Sequence, residues 1–337
     1  GDGLVGGPQD ALGFQPIGMW SLGTPFSGNY DGRRHAIKNL YINRPDEDYV
    51  SLFGGVVGGI ELARLNSIYV ADAYLIGADS SGIVGRLEAG ALTNSASVGL
   101  YAEGSNQYMG GAVGFMIEAS VEGSFASGSV TSTSSFIGGL IGQARKPAVI
   151  KHNYASIDVD GSADLGALIG RVWTDGGTGA ITISGNYASG IVGSSPGWSF
   201  FGDVRGSVED VEASYNYHLS EGTNVSVNDG STGLTLSEMK NASSFVGFDF
   251  AGDPTDGIDE IWTLREVGDN EEGPTYDNFP LLAWQAEADS EVLLSGGSGT
   301  PADPFIISTV EDLLELSNSP DLWSSHFRQT ADIDFNP

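Results

Sequence analysis

Acidic and amide side chains alternate with apolar residues near the C-terminal end of the chain. Asp332, Asp334 and Asn336 occupy every second position there, and Asp2 lies close to the N-terminus. If the end of one copy preceded the start of the next, these residues would form the pattern D-x-D-x-N-P-G-D-G, whose alternate oxygens can converge on calcium. The glutamate at the twelfth position of a helix–loop–helix calcium loop is absent. We therefore expect no cofactor, with calcium at these four residues as the alternative to an outward strand face with turns.

Two other sets of charged residues have the types that polysaccharide lyases and hydrolases use. Asp158 and Asp160 alternate with apolar residues, and paired carboxylates perform acid–base chemistry on glycosidic bonds. Arg86 and Arg171 each follow a glycine of a repeated motif, so they could line one column. Since nothing distinguishes these four residues from ordinary outward-facing ones, we expect no enzymatic activity. A polysaccharide lyase or glycoside hydrolase remains the alternative.

Four tryptophans provide a possible sugar-binding chemistry. An indole ring can stack on a sugar ring, but tryptophan more often fills a core or an interface. Both interpretations stay open for Trp198, Trp262, Trp284 and Trp323.

The composition excludes several classes of protein. The 337 residues include 44 acidic and 14 basic side chains, which give a formal net charge of −30, with 50 glycines and no cysteine. Such a surface repels the phosphates of nucleic acids and anionic lipids, so we expect no nucleic-acid partner and no membrane insertion. A chain without cysteine has neither disulfides nor thiolate metal sites. Its 40% hydrophobic residues suffice for a core.

A short glycine motif recurs along the first half of the chain. Two or three apolar residues lie between two glycines in five places. Five occurrences at a nearly constant step of about 28 residues indicate an internal repeat. The closing glycines are Gly58, Gly85, Gly114, Gly142 and Gly170.

A second motif runs in phase with the first. Ser124-Phe125-Ala126-Ser127 recurs as Asn153-Tyr154-Ala155-Ser156 and Asn186-Tyr187-Ala188-Ser189, and then in part as Asn216-Tyr217. The segments between turns are short and alternate in polarity, which is the period of a strand. The sequence therefore predicts an all-β fold, a β-solenoid (parallel β-helix) with coils of about 28 residues. We expect a ladder of aromatic rings, and glycines at corners that need positive φ.

These motifs resemble those of the GLUG-motif repeat family of bacterial extracellular and surface proteins, which are adhesin-like. Residues 26–32 (FSGNYDG) and 37–40 (IKNL) are similar to the family's opening pattern F-x-G-x-x-D-G…I-x-N-L. Residues 299–307 and 331–334 resemble the lead-in found upstream of such repeats, and residues 280–284 resemble their closing segment. The resemblance implies an extracellular β-helical scaffold at the bacterial cell surface, without catalytic residues.

The chain divides into four segments. An acceptor segment (residues 1–25) precedes the GLUG-like repeats (26–206), the acidic closing segment (207–295) and the lead-in segment (296–337). One short helix is predicted near residues 235–243, where Thr235 and Glu238 have capping-box spacing. A second is predicted from Ser308 to about Ser317, before Pro320.

The order of these segments is permuted relative to the family. The lead-in segment precedes the opening in the family, whereas here it lies at the C-terminus. The chain is then one period of a tandem array, or one of many subunits that each donate the lead-in segment to the next, and both arrangements give a linear polymer. In a third arrangement the lead-in segment folds back onto its own opening. We disfavour it because coils that stack at about 4.8 Å separate the two ends.

The predicted junction is apolar on both sides. The donor residues are Phe305, Ile307, Trp323, Phe327, Ile333 and Phe335, and the acceptor residues are Phe14, Ile17, Trp20 and Phe26. We expect a structural extracellular protein that forms a head-to-tail filament or a long adhesin stalk, with other copies of itself and surface glycans as partners. A carbohydrate-binding or polysaccharide-degrading module of a secreted protein is the alternative.

Overall fold

The chain winds into a β-solenoid of about six turns built from parallel sheets, as the repeat predicts. The computed structural model describes residues 12–193, 199–220, 230–252, 259–264, 279–287, 297, 299–317 and 322–335. Each turn contributes strands to two large sheets, and the apolar core fills the space between them.

The first large sheet, sheet A, has eleven strands. They are β2 (Ala36–Lys38), β3 (Tyr41–Arg44), β6 (Tyr69–Ala71), β7 (Tyr74–Gly77), β10 (Ala96–Gly104), β13 (Phe125–Ser132), β16 (Tyr154–Asp160), β19 (Tyr187–Ala188), β22 (Asn216–Leu219), β23 (Ser231–Leu234) and β28 (Ile333–Asp334).

The second large sheet, sheet B, has fifteen strands. They are β1 (Asn29–Asp31), β4 (Phe53–Val57), β5 (Ala63–Asn66), β8 (Val84–Glu88), β9 (Gly90–Thr93), β11 (Met109–Gly110), β12 (Val113–Glu122), β14 (Ser135–Gly138), β15 (Ile141–Lys151), β17 (Ala163–Trp173), β18 (Ile181–Ser184), β20 (Ser199–Arg205), β21 (Val211–Ser214), β26 (Phe305–Ile307) and β27 (His326–Gln329).

The remaining elements are short. β24 (Trp262–Leu264) and β25 (Pro280–Leu282) form an antiparallel pair, and 3₁₀ turns occupy Trp20–Leu22, Val208–Asp210, Ala242–Ser244 and Ala283–Glu287. Both predicted helices are present, as α1 (Leu236–Met239) and α2 (Val310–Ser317). Thr235 and Glu238 form the predicted capping box, in which each side chain accepts a backbone N–H of the other residue. The backbone N–H and the hydroxyl of Thr235 both donate to the Glu238 carboxylate and lower its pKa.

Like residues stack from coil to coil inside the solenoid. One column of sheet B passes through Tyr30, Leu65, Leu92, Val121 and Ile150, which are paired in register between neighbouring strands. All five side chains are 0–1% exposed. Burial of successive aliphatic side chains at about 25 cal/mol per Å² is the main force that holds one coil on the next.

The repeated glycines form a column, but for a different reason from the predicted one. Val84 pairs with Val113 and Val113 with Ile141, which places Gly85, Gly114 and Gly142 above one another. None of these glycines has a positive φ. A Cβ on Gly142 would lie 2.5 Å from the carbonyl oxygen of Gly114, so the column requires glycine because the coils approach closely.

The predicted first glycine of the column, Gly58, is wrong. Phe53 pairs with Val84, so Gly54 and not Gly58 stands beside Gly85 in the column, while Gly170 continues the column as predicted. Many left-handed corners are occupied by other residues, including Asn39 and Asn94. Asparagine and aspartate tolerate positive φ, which accounts for residues such as Asn39 and Asn94. Larger residues such as Tyr49 and Phe136 also have positive φ, so glycine does not mark all of the corners.

Substituting Gly142 by alanine is expected to destabilise the solenoid by about 2 kcal/mol, since overpacking a tight site costs roughly 1–3 kcal/mol. Backbone lies on both sides of the added Cβ, so no flexible side chain can move aside. Gly59→Ala is the matched control, because nothing lies within 4 Å of its Cβ position. Urea unfolding of both variants measures the difference, and equal midpoints would contradict this account of the column.

A ladder of buried amides supports one corner of the solenoid. Asn186 Nδ2 donates to Asn216 Oδ1 at 2.9 Å, and Asn153 Nδ2 donates to Asn186 Oδ1 at 3.0 Å. The hydroxyls of Ser95 and Ser124 continue the column by accepting backbone N–H groups of the preceding coil. The recurring Ser/Asn positions of the second motif thus bind backbone groups that the corner leaves unpaired.

The predicted aromatic ladder is present on the outer side of sheet A. Phe125, Tyr154 and Tyr187 stack with ring centroids 4.6 and 4.9 Å apart and nearly parallel planes. Tyr217 follows in register on the next coil. These rings are at most 5% exposed, because the closing segment packs over them.

The closing segment contacts successively earlier coils as it proceeds. Phe248 contacts Tyr217, Trp262 contacts Tyr187 and Tyr154, and Trp284 contacts Phe125. The chain therefore returns along the aromatic ladder from the last coil toward the first. This path determines where the lead-in segment can bind.

Candidate functional site

The lead-in segment forms the first rung of the solenoid within its own chain. β27 pairs with β1, β28 pairs with β2, and β26 pairs with β27, all in parallel. This is the arrangement that the sequence argument disfavoured. The stacked coils do separate the two ends of the solenoid, but the closing segment crosses that distance along the aromatic ladder.

Predicted donor and acceptor residues meet at this junction. Phe327 lies 6.0 Å from Phe26 and 5.6 Å from Phe305, measured between ring centroids. Phe335 packs edge-on against Phe14 at 5.8 Å. Every predicted residue except Phe305 and Trp20 is at most 8% exposed; these are Phe14, Ile17, Phe26, Ile307, Trp323, Phe327, Ile333 and Phe335.

Polar contacts that were not predicted from the sequence fix the register of the junction. The Tyr30 hydroxyl donates to the buried Gln329 Oε1 at 3.3 Å, and the Asn29 amide nitrogen lies 2.9 Å from Nε2 of His326. Burial raises the pKa of Tyr30, with a smaller contribution from Asp31, so this phenol stays neutral and able to donate. A register shift by one residue would leave these groups without partners.

Trp20 lies outside the junction. The guanidinium of Arg86 sits over its ring at 3.9 Å and also lies 4.6 Å from the ring of Phe115. Arg86 also forms an ion pair with Glu88 at 2.8 Å. Trp20 therefore covers the outer side of sheet B, where a cation–π contact holds it.

The predicted calcium ligands bind nitrogen donors in the part of the chain that is described. Asp332 accepts from Ala36 N at 2.8 Å and lies 3.4 Å from Lys38 Nζ, while Asp334 accepts from the Asn39 amide at 2.6 Å. Partial burial opposes ionisation of Asp332, but the bond from Ala36 and the charge of Lys38 lower its pKa overall. Asp2 and Asn336 fall outside the described residues.

Larger clusters of metal-ligating side chains were searched for in the rest of the described ranges. No set of three or more His, Cys, Asp or Glu side chains there has an arrangement that could hold a metal ion.

The candidate catalytic residues lie on two different sheets. Arg86 and Arg171 share one register column of sheet B, with Phe115 and Gln143 between them. Asp158 is on sheet A, where its carboxylate accepts from Ile191 N, and Asp160 is exposed two residues further. Arg171 is paired with Asp164 and Asp203. The fold therefore does not combine these carboxylates and arginines into one groove.

The tryptophans with described side chains pack against protein. Trp262 and Trp323 are 0% and 2% exposed, and Trp284 donates to the carbonyl oxygen of Gly123 at 2.8 Å. Trp198 lies outside the described residues.

A row of tyrosines is the exposed aromatic feature that the sequence analysis missed. Tyr41, Tyr74 and Tyr101 pair in register on the outer side of sheet A, with ring centroids 5.9 and 4.7 Å apart. Each is 38–41% exposed, and the Tyr101 hydroxyl donates to Glu103 at 2.9 Å. The recurrence of tyrosine at the spacing of the coils was the signal available in the sequence.

One buried carboxyl group was also not predicted from the sequence. Asp79 is 2% exposed, and no described residue donates a hydrogen bond to its Oδ1. Burial, with repulsion from Asp48, raises its pKa to about 8.

The free energy of unfolding is expected to fall between about pH 4 and pH 8 through Asp79. Over this range the unfolded chain ionises this group while the folded chain keeps it protonated, so the native state binds more protons and a rising pH destabilises it. The pKa is raised from 3.8 to about 8, and one pKa unit corresponds to about 1.4 kcal/mol, so the contribution has an upper limit of about 6 kcal/mol. Urea unfolding at pH 5 and pH 8 should show a smaller loss for Asp79→Asn than for the unaltered protein. An equal loss in both would contradict the assignment.

Comparisons with protein-family models, with curated proteins and with solved structures found no match to this chain. Within the described residues, no helix is long and apolar enough to cross a membrane.

Proposed function

We propose that the protein is a structural, extracellular β-solenoid module of the bacterial cell surface, related to the GLUG-repeat proteins, that assembles head to tail into a filament or stalk. In this proposal the lead-in segment joins successive units. It binds the opening coil of its own chain in an isolated unit and that of the next copy in an assembly.

The observation that supports this proposal is the composition of the first rung. Its strands come from the opposite end of the sequence to the strands on which they stack, as in the pairing of Tyr30 with Phe327. The strands of the lead-in segment are not continuous in sequence with the opening coil. The same contacts can therefore form with the lead-in segment of the same chain or with that of another copy. Exchange of identical elements between subunits is a low-cost route to assembly, and a head-to-tail exchange that does not close gives a fibre.

A pair of engineered cysteines distinguishes the two ways of completing the rung. Asp31 and Arg328 are paired neighbours across the junction, and the protein has no cysteine of its own. Adjacent strands place Cα atoms within disulfide range. After oxidation of Asp31→Cys with Arg328→Cys at high protein concentration, the proposal predicts covalent multimers on a non-reducing denaturing gel. Cross-linked monomers alone, at every concentration, would reject the exchange.

The matched control is Asp31→Cys with Asn66→Cys. These residues are also paired neighbours, but both belong to the continuous body of one chain. This pair must give monomers whether or not subunits exchange. Negative-stain microscopy of the unoxidised protein then tests for the fibres themselves.

A second proposal is that the module binds surface glycans through the tyrosine row. The exposed rings and phenol hydroxyls repeat at the spacing of the coils, so a polysaccharide lying along the solenoid axis meets one tyrosine per rung. Retention on microcrystalline cellulose and on chitin tests this, with Tyr74→Ala as the variant. If the Tyr74→Ala variant were retained as well as the unaltered protein, the tyrosine row would not be the glycan-binding site.

A further inference from the structure

We propose that Asp48 and Asp79 bind a divalent cation, Ca²⁺ in particular, where the loop at residues 46–50 lies beside the next coil. This site is separate from Asp332 and Asp334, and it does not depend on whether the protein forms filaments.

The two segments are held side by side by backbone hydrogen bonds. Ala78 N donates to the carbonyl oxygen of Glu47, and Val50 N donates to that of Asp79, both at 2.8 Å. Asp48 lies between these two bonds along its segment, so its backbone is next to Asp79. The two carboxyl groups therefore belong to the same small region, and the charge of Asp48 raises the cost of ionising Asp79.

The environment of Asp79 is what points to a ligand. A carboxyl group buried this deeply normally accepts several hydrogen bonds, because an unpaired buried charge is costly. Asp79 Oδ1 accepts none from the described residues, although its side chain is only 2% exposed. A carboxyl group in such an environment must hold a proton or a cation. The adjacent Asp48 supplies a second carboxylate for the same cation.

The charged side chains of Glu47 and Arg86 interact with other groups, so neither of them occupies Asp48 or Asp79. Glu47 is engaged with Arg44 at 2.9 Å, and the loop also contains the exposed Asp46. The nearby guanidinium of Arg86 interacts with Tyr49 and with Glu88. Calcium takes six to eight oxygens and accepts backbone carbonyls and water, so two carboxylates give a weak site, with a dissociation constant on the order of a millimolar.

The test uses terbium as a luminescent probe for calcium, at pH 8.5, where the proton on Asp79 is released most easily. Tyr49 adjoins Asp48 in the sequence, so it should transfer excitation to a bound terbium ion. The unaltered protein is expected to sensitise terbium emission that Ca²⁺ displaces, and Asp79→Asn is expected to lose most of it. Asp160→Asn removes the same charge from an exposed strand position and should behave like the unaltered protein.

Thermal unfolding supplies a second measurement that does not depend on terbium. With 5 mM CaCl₂ in place of EDTA at constant ionic strength, we expect the midpoint to rise by about 2 °C, as ligand linkage gives for a millimolar site. The rise should be absent in Asp79→Asn and in Asp48→Asn. Equal responses of these variants and the unaltered protein, or no response in any of them, would overturn the site. Asp79→Asn keeps the shape of the side chain without its charge, so circular dichroism should confirm that it folds.

Discussion

Replacing Asn186 by alanine is expected to lower the free energy of unfolding by about 4 kcal/mol, since each buried polar group left without its partner costs roughly 1–3 kcal/mol. Asn186 is 0% exposed and sits in the middle of the amide ladder. Its Nδ2 donates to the carbonyl oxygen of Ile150 and to Asn216, and its Oδ1 accepts from both N and Nδ2 of Asn153. Alanine removes all of these bonds, and the corner excludes replacement partners.

Urea unfolding measures this effect, with Thr131→Ala as the control. Thr131 is an exposed residue of sheet A, for which a change within about 0.5 kcal/mol is expected. The ladder also predicts that Asn186→Asp destabilises at neutral pH, because the carboxylate cannot donate to Ile150. If Asn186→Ala and Thr131→Ala were equally stable, the buried amides would not hold the corner.

The repeat period predicted the fold class because a solenoid stacks each coil on the next. A residue at one position then meets its equivalent one coil later, which is why Phe125, Tyr154 and Tyr187 could be aligned before their rings were seen to stack. The same reasoning failed at Gly58. The coil that leads from Gly54 to Gly85 is longer than the three coils that follow it in the glycine column, and an apolar pair between glycines occurs there out of phase.

Contacts between the repeats and the segments that contain no repeat could not be predicted in this way. The junction residues were identified by their apolar character and by the order of motifs. Phe26 and Phe327 do meet there, and Ile333 pairs with Ile37. Whether the lead-in segment of the same chain or that of another copy completes the rung depends on the path of the closing segment. That segment contains no repeat. Asp79 was missed for a related reason, since its burial depends on the loop of the preceding coil and not on its own motif.

The closing segment carries the chain back along the aromatic ladder, so that the lead-in segment reaches the first coil. Trp262 makes the central contact between the closing segment and this ladder. Trp262 is fully buried, with its ring 4.6 Å from Phe248 and 5.7 Å from Tyr187. Its replacement by alanine is expected to cost about 3–5 kcal/mol, as for other buried tryptophans. We expect the substitution to destabilise the closing segment and not the solenoid, because the core of the solenoid lies on the other side of sheet A.

Two measurements separate this local loss from global unfolding. Hydrogen exchange of Trp262→Ala should accelerate around residues 235–252, while the strands of the aliphatic core keep their protection. In the Asp31/Arg328 cysteine pair, Trp262→Ala should also raise the share of covalent multimers, because a loosened closing segment frees the lead-in segment to bind another copy. Trp173→Ala, which removes a half-buried indole packed against Arg145 on sheet B, should change neither readout. Uniform loss of protection throughout the chain would mean that the closing segment and the solenoid unfold as one unit, and the exchange of lead-in segments would then require complete unfolding.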